Sequence, residues 1–562
     1  MPFPSKQAFV DNLQTVFSQI LRERENGIDV NFFVSSHTYF LVVQRLFTEF
    51  EFLTLLDLWG VDNLERASIP KNPEQSEARF QISTILLNYK FDVRLKITFL
   101  INQEQKVPSL TKIYNNAVWP EREVREFFGL NFLDCVYENL ILHPATDGFP
   151  LRKDFIPVTV PLEMLLPVRN FFSSASVEFA HKGNFVEWLE LGPFFAEDRG
   201  AIRILAKVDG EQVYDVNMDV GLSHRAVEKI CEVTSYSQIP LYMERLNYHS
   251  SALNSLCWVK GLEDFMHISI SERSMAMRMV FAELSRIFDH LGCLMRMVIG
   301  SQNPFADRLF LLQREKIKVL FSEYSGQRLF TRAIVPGGLS TEMPGGWITS
   351  CMETMIELKK FMARLNKSFV RNLAWIESTD YGPISANDAI CEGITGPNLR
   401  ASGINYDLRK RNPYYFYSEL EFDIPIGQNG TMYDRFLVRL EEINQSIRII
   451  TQILDNLPLG SVLAEQDMTS LFESGEIWQQ CHPGEFYSNI EGSNGELAIC
   501  AVIDSGPNPY RLHVRSPSLY HAQFFSCLVK GTKSQIGQQA LPVASLLQCF
   551  DSLNIIASEI DR

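Results

Sequence analysis

Ten cysteines stand at positions 135, 231, 257, 293, 351, 391, 481, 500, 527 and 549, and no two are separated by only two residues. A C-x-x-C metal or redox site is therefore absent, and thiols so placed read as reduced, mostly buried side chains in a cytosolic setting. The ten histidines are equally dispersed, and a lone helical one such as His290 reads as a hydrogen-bonded packing residue. No closely spaced glycines follow a strand to cradle phosphate, and neither an H-E-x-x-H helix nor a G-x-S-x-G elbow occurs. Binding of a dinucleotide through a Rossmann site and hydrolysis are thus not expected. A group of charged and aromatic residues runs from Trp119-Pro120-Glu121-Arg122-Glu123 to Phe127-Phe128-Gly129. Glu121, Arg122 and Glu123 can make charge-assisted bonds that pin an irregular segment, while Trp119, Phe127 and Phe128 can anchor a partner.

The elements that hold these residues must belong to more than one large core, since 562 residues with 46% hydrophobic content exceed a typical domain of about 150 residues several-fold. A formal charge of -15 leaves no broad basic face for nucleic acid or anionic lipid. The first thirty residues lack the apolar run and cleavage site of an export signal. Uncharged stretches such as Ser534 to Phe550 are too polar to span a bilayer, which takes about 20 predominantly apolar residues.

Residues 1–157 read as a small α/β unit, with strands over Phe80–Leu87 and Val93–Phe99 and a loop-rich, aromatic last part from Trp119 to Asp154. A Pro- and Ser-containing linker is expected over 158–188. In the remaining part, 189–562, Ala201–Val208 followed by Asp209-Gly210 predicts a hairpin. Val280, Leu284, Ile287, Leu291, Leu294 and Val298 recur at helical spacing, as do Phe436, Leu440, Ile443, Ile447, Ile450 and Leu454. Such stripes, like the methionines at 275, 277, 279, 295 and 297, read as core seams. Shorter strand-like runs are expected from Ala498 to the C-terminal residues. The fold class is α+β.

The segment Trp119 to Leu130, followed by Gly148-Phe149-Pro150-Leu151-Arg152-Lys153-Asp154, resembles the signature of the 30 kDa subunit of bacterial respiratory NADH–quinone oxidoreductase, complex I. From Leu189 onward the chain resembles the 49 kDa subunit of the same complex, which is related to nickel–iron hydrogenase large subunits. The matching segments are Gly192-Pro193, Gly221-Leu222-Ser223-His224-Arg225 with Glu228-Lys229, Gly396 to Gly403, Asp407-Leu408-Arg409-Lys410, Tyr433-Asp434-Arg435 and Asp561-Arg562. The resemblance implies a fusion of the two subunits, with a β-hairpin region, a central helix bundle and a mixed C-terminal part after the α/β unit. It implies an enzyme subunit that is not active alone. Electrons from NADH would pass through FMN and iron–sulfur clusters in partner subunits to a quinone, the substrate, coupled to proton translocation. Expected partners are the other peripheral-arm subunits, including the one with the terminal cluster, and membrane-arm subunits, at the cytoplasmic face of a bacterial inner membrane.

The resemblance also places residues. Hydrogenases hold nickel and iron with two pairs of cysteines, and the equivalent positions here are Asn247, Ser250, Ile556 and Glu559, so no metal is expected in this chain and hydrogen activation is excluded. Tyr248 aligns with the quinone-binding tyrosine, a neutral phenol able to donate a hydrogen bond and relay a proton. Arg245 aligns with an arginine beside the terminal cluster. The family's loop after Gly-Pro normally holds two histidines, but here Phe195 and Arg199 take their places. An acidic partner aligns with Gly300 and a cluster-side histidine with Phe330. Arg199 remains able to bind a quinone anion but not to release its proton readily, and Glu197 or Asp198 are the candidate proton donors. The competing expectation is a scaffold subunit whose quinone site is remodelled or inactive.

Overall fold

A computed structural model describes residues 5–22, 27–66, 78–135, 138–157, 187–193, 200–299, 306–463, 482–504, 506–530 and 541–562. The N-terminal part contains α1 (Lys6–Val16), β1 (Leu21–Arg22), β2 (Val30–Phe33), α2 (Tyr39–Phe50), β3 (Thr54–Asp62), β4 (Phe80–Asn88), β5 (Val93–Ile101) and α3 (Val118–Phe128). Its sheet runs β1-β2-β5-β4-β3, with β2 and β5 parallel and the other pairs antiparallel. Tyr39, Val43, Leu46 and Phe50 form the buried stripe of α2 at helical spacing. Both expected strands are thus present. The expected loop at Trp119 is instead α3: Pro120 sits in the first turn, where its missing N–H costs nothing, Glu121 faces the positive end of the helix dipole, and Gly129 closes the helix at φ 73°.

Next come β6 (Glu187–Leu191), β7 (Arg203–Asp209) and β8 (Gln212–Asp219), and the first of these begins two residues inside the expected linker. The strands β7 and β8 form the expected hairpin, with Gly210 at φ 59° in its turn. Five long helices follow: α4 (Ser251–Met266), α5 (Glu272–Ile299), α6 (Ala306–Ser325), α7 (Trp347–Phe369) and α8 (Met432–Asp455), with a small hairpin of β9 (Ile334–Val335) and β10 (Gly338–Leu339) between α6 and α7. Helix α5 packs against α4, α6 and α8, and the two apolar stripes read from the sequence are buried on α5 and α8. Then β11 (Gly484–Glu491), β12 (Glu496–Ile503) and β13 (Arg511–Arg515) form an antiparallel sheet. Beyond Arg515 the expected strand runs are mainly helical: α9 (Pro517–Lys530), α10 (Val543–Leu553) and α11 (Ala557–Ile560), with only β14 (Leu541–Pro542) added to β8 among the described residues. Pro517 is the reason at the first boundary, because its fixed φ suits the first turn of a helix.

Strands β3 to β5 carry polar side chains such as Asp57, Gln81, Ser83, Arg94 and Lys96 among apolar ones, yet they are buried throughout. Several of these polar side chains lie against β11–β13. Lys96 Nζ is 2.7 Å and Arg66 Nη1 3.1 Å from Glu485, Arg94 Nη2 is 3.2 Å from Glu496, and the Trp59 ring stacks on His513 with centroids 5.4 Å apart. His513 Nε2 lies 3.1 Å from Asp57 and Nδ1 3.3 Å from Glu228. Burial alone would lower the imidazole pKa, but Asp57 and Glu228 outweigh it and raise it from 6.5 to about 9. The folded value lies above the unfolded one, so the stabilisation is complete below pH 6.5 and is lost as pH rises through about 9. That loss amounts to roughly 3 kcal/mol. The thermal midpoint should fall across this window in the parent chain and much less in His513→Gln; equal slopes in both would remove His513 as the cause.

Candidate functional site

Tyr248 lies in the turn between a short helix, Ile239–Met243, and α4, and it is half-buried. Its ring centre is 4.4 Å from that of His249. The turn is held by segments far apart in the sequence. Arg225 Nη2 donates to the Arg245 carbonyl at 2.8 Å, and Ser558 Oγ on α11 donates to the Leu246 carbonyl at 2.9 Å. Asp561 in turn accepts from the Gly221 and Ser223 N–H groups at 2.7 and 2.8 Å. The separate segments Gly221–Arg225 and Asp561-Arg562 therefore meet around the tyrosine turn.

Arg245 is exposed, and its guanidinium carbon lies 4.9 Å from the centre of the Phe330 ring. The structure thus brings together two positions that the resemblance places beside the terminal cluster. Glu244 accepts from Ser255 Oγ at 3.2 Å and from the Arg332 N–H at 2.9 Å, and burial pushes its pKa up to about 7. Phe195, Glu197, Asp198, Arg199 and Gly300 lie outside the described residues. The loop's far end does not: Gly200 has φ 81°, and a Cβ there would come within 2.7 Å of the Ala557 methyl on α11. One short helix therefore supports both the loop end and the tyrosine turn.

The positions equivalent to metal-binding thiolates are all buried, and none offers a soft ligand. Ser250 and Ser493 share a hydrogen bond, Asn247 Oδ1 accepts the His249 N–H at 3.1 Å, and Ser518 Oγ donates to Glu559. Burial raises the Glu559 pKa to about 7. Nickel and iron do not fit this donor set. A second group, Glu123, Glu228 and His513, brings three possible ligands within 4.8 Å of one another. Here the positive charge is already supplied by the chain, since Arg511 reaches Glu228 at 2.6 Å and Arg562 reaches Glu123 at 2.8 Å and Glu228 at 3.0 Å.

The aromatic motif works inside its own chain. Phe127 and Phe128 are buried, and Phe128 lies so close to Gly60 that a Cβ there would approach it to 2.9 Å, so these two rings are not partner anchors. Trp119 is half-buried and packs against the same core. The charges do pin an irregular segment: Arg122 donates to the carbonyls of Glu138 and Asn139 at 3.1 and 3.0 Å, while Glu121 accepts from Ser109 Oγ and Leu110 N at 2.7 and 2.6 Å. His290 is a packing residue as expected, with Nε2 2.8 Å from Glu442. Sequence reasoning passed over His249; its adjacency to Tyr248 was the available signal.

Residues 32–160 match the family described as respiratory-chain NADH dehydrogenase, 30 Kd subunit, and residues 299–562 the family described as its 49 Kd subunit. The fused C/D protein of NADH-quinone oxidoreductase from Bdellovibrio bacteriovorus is 33% identical over 535 residues, which cover 92% of this chain and 91% of that protein. The chain belongs to the fused C/D subunits of NADH–quinone oxidoreductase. The C/D protein of Shewanella woodyi is 30% identical across 90% of this chain and 88% of its own length. The separate D protein of Leptospira biflexa is 34% identical over 393 residues, or 66% of this chain and 94% of its own length. As a C/D fusion, the chain is part of an oxidoreductase complex and has other complex I subunits as partners. No helix among the described residues is long and apolar enough to cross a membrane.

Proposed function

We propose that this C/D fusion forms one wall of the quinone pocket of its complex, with Tyr248 as the hydrogen-bond and proton donor to the quinone. Electrons from NADH reach the pocket through FMN and iron–sulfur clusters held by partner subunits, the last cluster lying beside Arg245 and Phe330. A fixed guanidinium there favours the reduced cluster by opposing its added negative charge. Reduction is coupled to proton translocation by membrane-arm partners, and the chain docks peripherally at the cytoplasmic face. The observation that carries this reading is the half-buried Tyr248, held in a turn by Arg225 and Ser558 through the carbonyls of Arg245 and Leu246.

Arg199 binds the quinone as charge develops, and Glu197 or Asp198 delivers a proton in place of the missing loop imidazole. The scaffold reading is favoured by one observation, that Phe330 rather than a titratable group faces Arg245. NADH-driven quinone reduction by the assembled complex separates the two. Tyr248→Phe should lower the rate about tenfold, somewhat less than the usual cost of losing a proton-transfer group, and Arg199→Ala should also lower it. Unchanged rates in both variants, with the complex intact, would leave only the scaffold.

A further inference from the structure

An imidazole does stand beside Tyr248, on the residue that follows it. His249 is buried, and its Nδ1 is 2.9 Å from Nη2 of Arg314. A guanidinium only donates, so Nδ1 is the acceptor and the hydrogen of the ring sits on Nε2. Protonating Nδ1 would break this bond, so the contact with Arg314 favours the neutral ring. Arg314 is itself fixed. It is buried on α6, its guanidinium carbon lies 4.4 Å from the centre of the Phe288 ring, and a Cβ at Gly292 would approach that carbon to 3.3 Å. The glycine on α5 thus leaves the slot open. His249 also contacts the Phe288 ring, with centroids 5.9 Å apart. The imidazole is therefore held between Tyr248, Arg314 and α5, in one tautomer.

A neutral imidazole in this state stabilises nearby negative charge without giving up its proton, and the fixed cation behind it strengthens that effect in a water-poor setting. We propose that the His249–Arg314 pair is the positioning device of this site, stabilising the Tyr248 phenolate left when the phenol gives its proton to the quinone. This rests on Tyr248 facing the quinone. In the step, the quinone takes two electrons from the partner's clusters. As the Tyr248 O–H bond breaks, an O–H bond forms on one quinone oxygen. The second proton reaches the other oxygen from the carboxyl donor of the proposed function, itself recharged from water, and a further water-derived proton restores the phenol. His249 keeps its Nε2 hydrogen throughout.

The test uses the assembled complex with a water-soluble short-chain ubiquinone as acceptor. His249→Phe keeps the ring packing but removes both nitrogens, and it should lower kcat roughly tenfold or more while KM stays within about threefold. His249→Gln, whose amide N–H can reach the distal position, should recover part of kcat, whereas His249→Asn, whose shorter amide can accept from Arg314 but cannot place an N–H at the Nε2 position, should not. A kcat for His249→Phe within about twofold of the parent, alongside a loss in Tyr248→Phe, overturns the inference alone. Equal activities for the Gln and Asn variants also overturn it, and that comparison stands even where His249→Phe does not assemble. No loss in Tyr248→Phe overturns the quinone reading beneath it.

Discussion

Replacing Arg400 with Met is expected to destabilise the chain by about 3–5 kcal/mol, the cost of removing one member of a buried ion pair. Arg400 is fully buried, and its guanidinium reaches Glu442 at 2.6 Å, Glu491 at 2.7 Å and Asp407 at 3.5 Å. Burial pushes the Glu442 pKa up, but Arg400 outweighs it with help from His290 and holds the carboxyl well below its usual range. Without Arg400, three carboxylates from α8, β11 and the turn at Asp407 face one another with one cation fewer. Methionine fills similar volume, so the loss is mainly electrostatic. The first thermal transition should drop by several degrees, and adding Glu442→Gln should restore part of it. A midpoint unchanged in Arg400→Met would show that Arg409, 2.8 Å from Asp407, carries the cluster alone.

Arg562→Ala should have a comparable effect, again about 3–5 kcal/mol. The Arg562 guanidinium spans Glu123 on α3 and Glu228 on the short helix Val227–Cys231, so it ties the N-terminal unit to the remainder. Losing it leaves Glu123, whose pKa burial already raises, without its main cation. A urea titration should show an earlier midpoint, and Glu123→Gln in the Arg562→Ala background should move it back. If the double variant is as unstable as the single one, the cost lies in lost packing rather than in the orphaned carboxylate.

The local elements were largely written in local patterns. Alternation gave β4 and β5, helical spacing gave the stripes of α5 and α8, and Asp209-Gly210 gave the β7–β8 hairpin, because each depends on neighbours within one or two turns. The exceptions are informative. The segment at Trp119 looked irregular because Pro120 and several charges crowd it, yet a proline in the first turn is compatible with a helix. Phe127 and Phe128 looked like partner anchors, but their burial is decided by packing that brings Phe128 against Gly60, far away in the sequence.

The sequence by itself determined what chemistry is absent from the identified positions: Asn247, Ser250, Ile556 and Glu559 cannot supply thiolates in any fold. It also marked Tyr248 and Arg245 through their neighbouring motifs. Only the tertiary structure decided that the polar side chains Asp57, Arg94 and Lys96 of β3 and β5 are buried against His513, Glu496 and Glu485 of β11–β13. It also decided that His249 Nδ1 meets the guanidinium of an arginine 65 residues away. The reason is the same in both cases. A polar side chain's environment is set by whatever partner long-range packing brings within hydrogen-bond distance, and spacing along the chain carries no record of that partner.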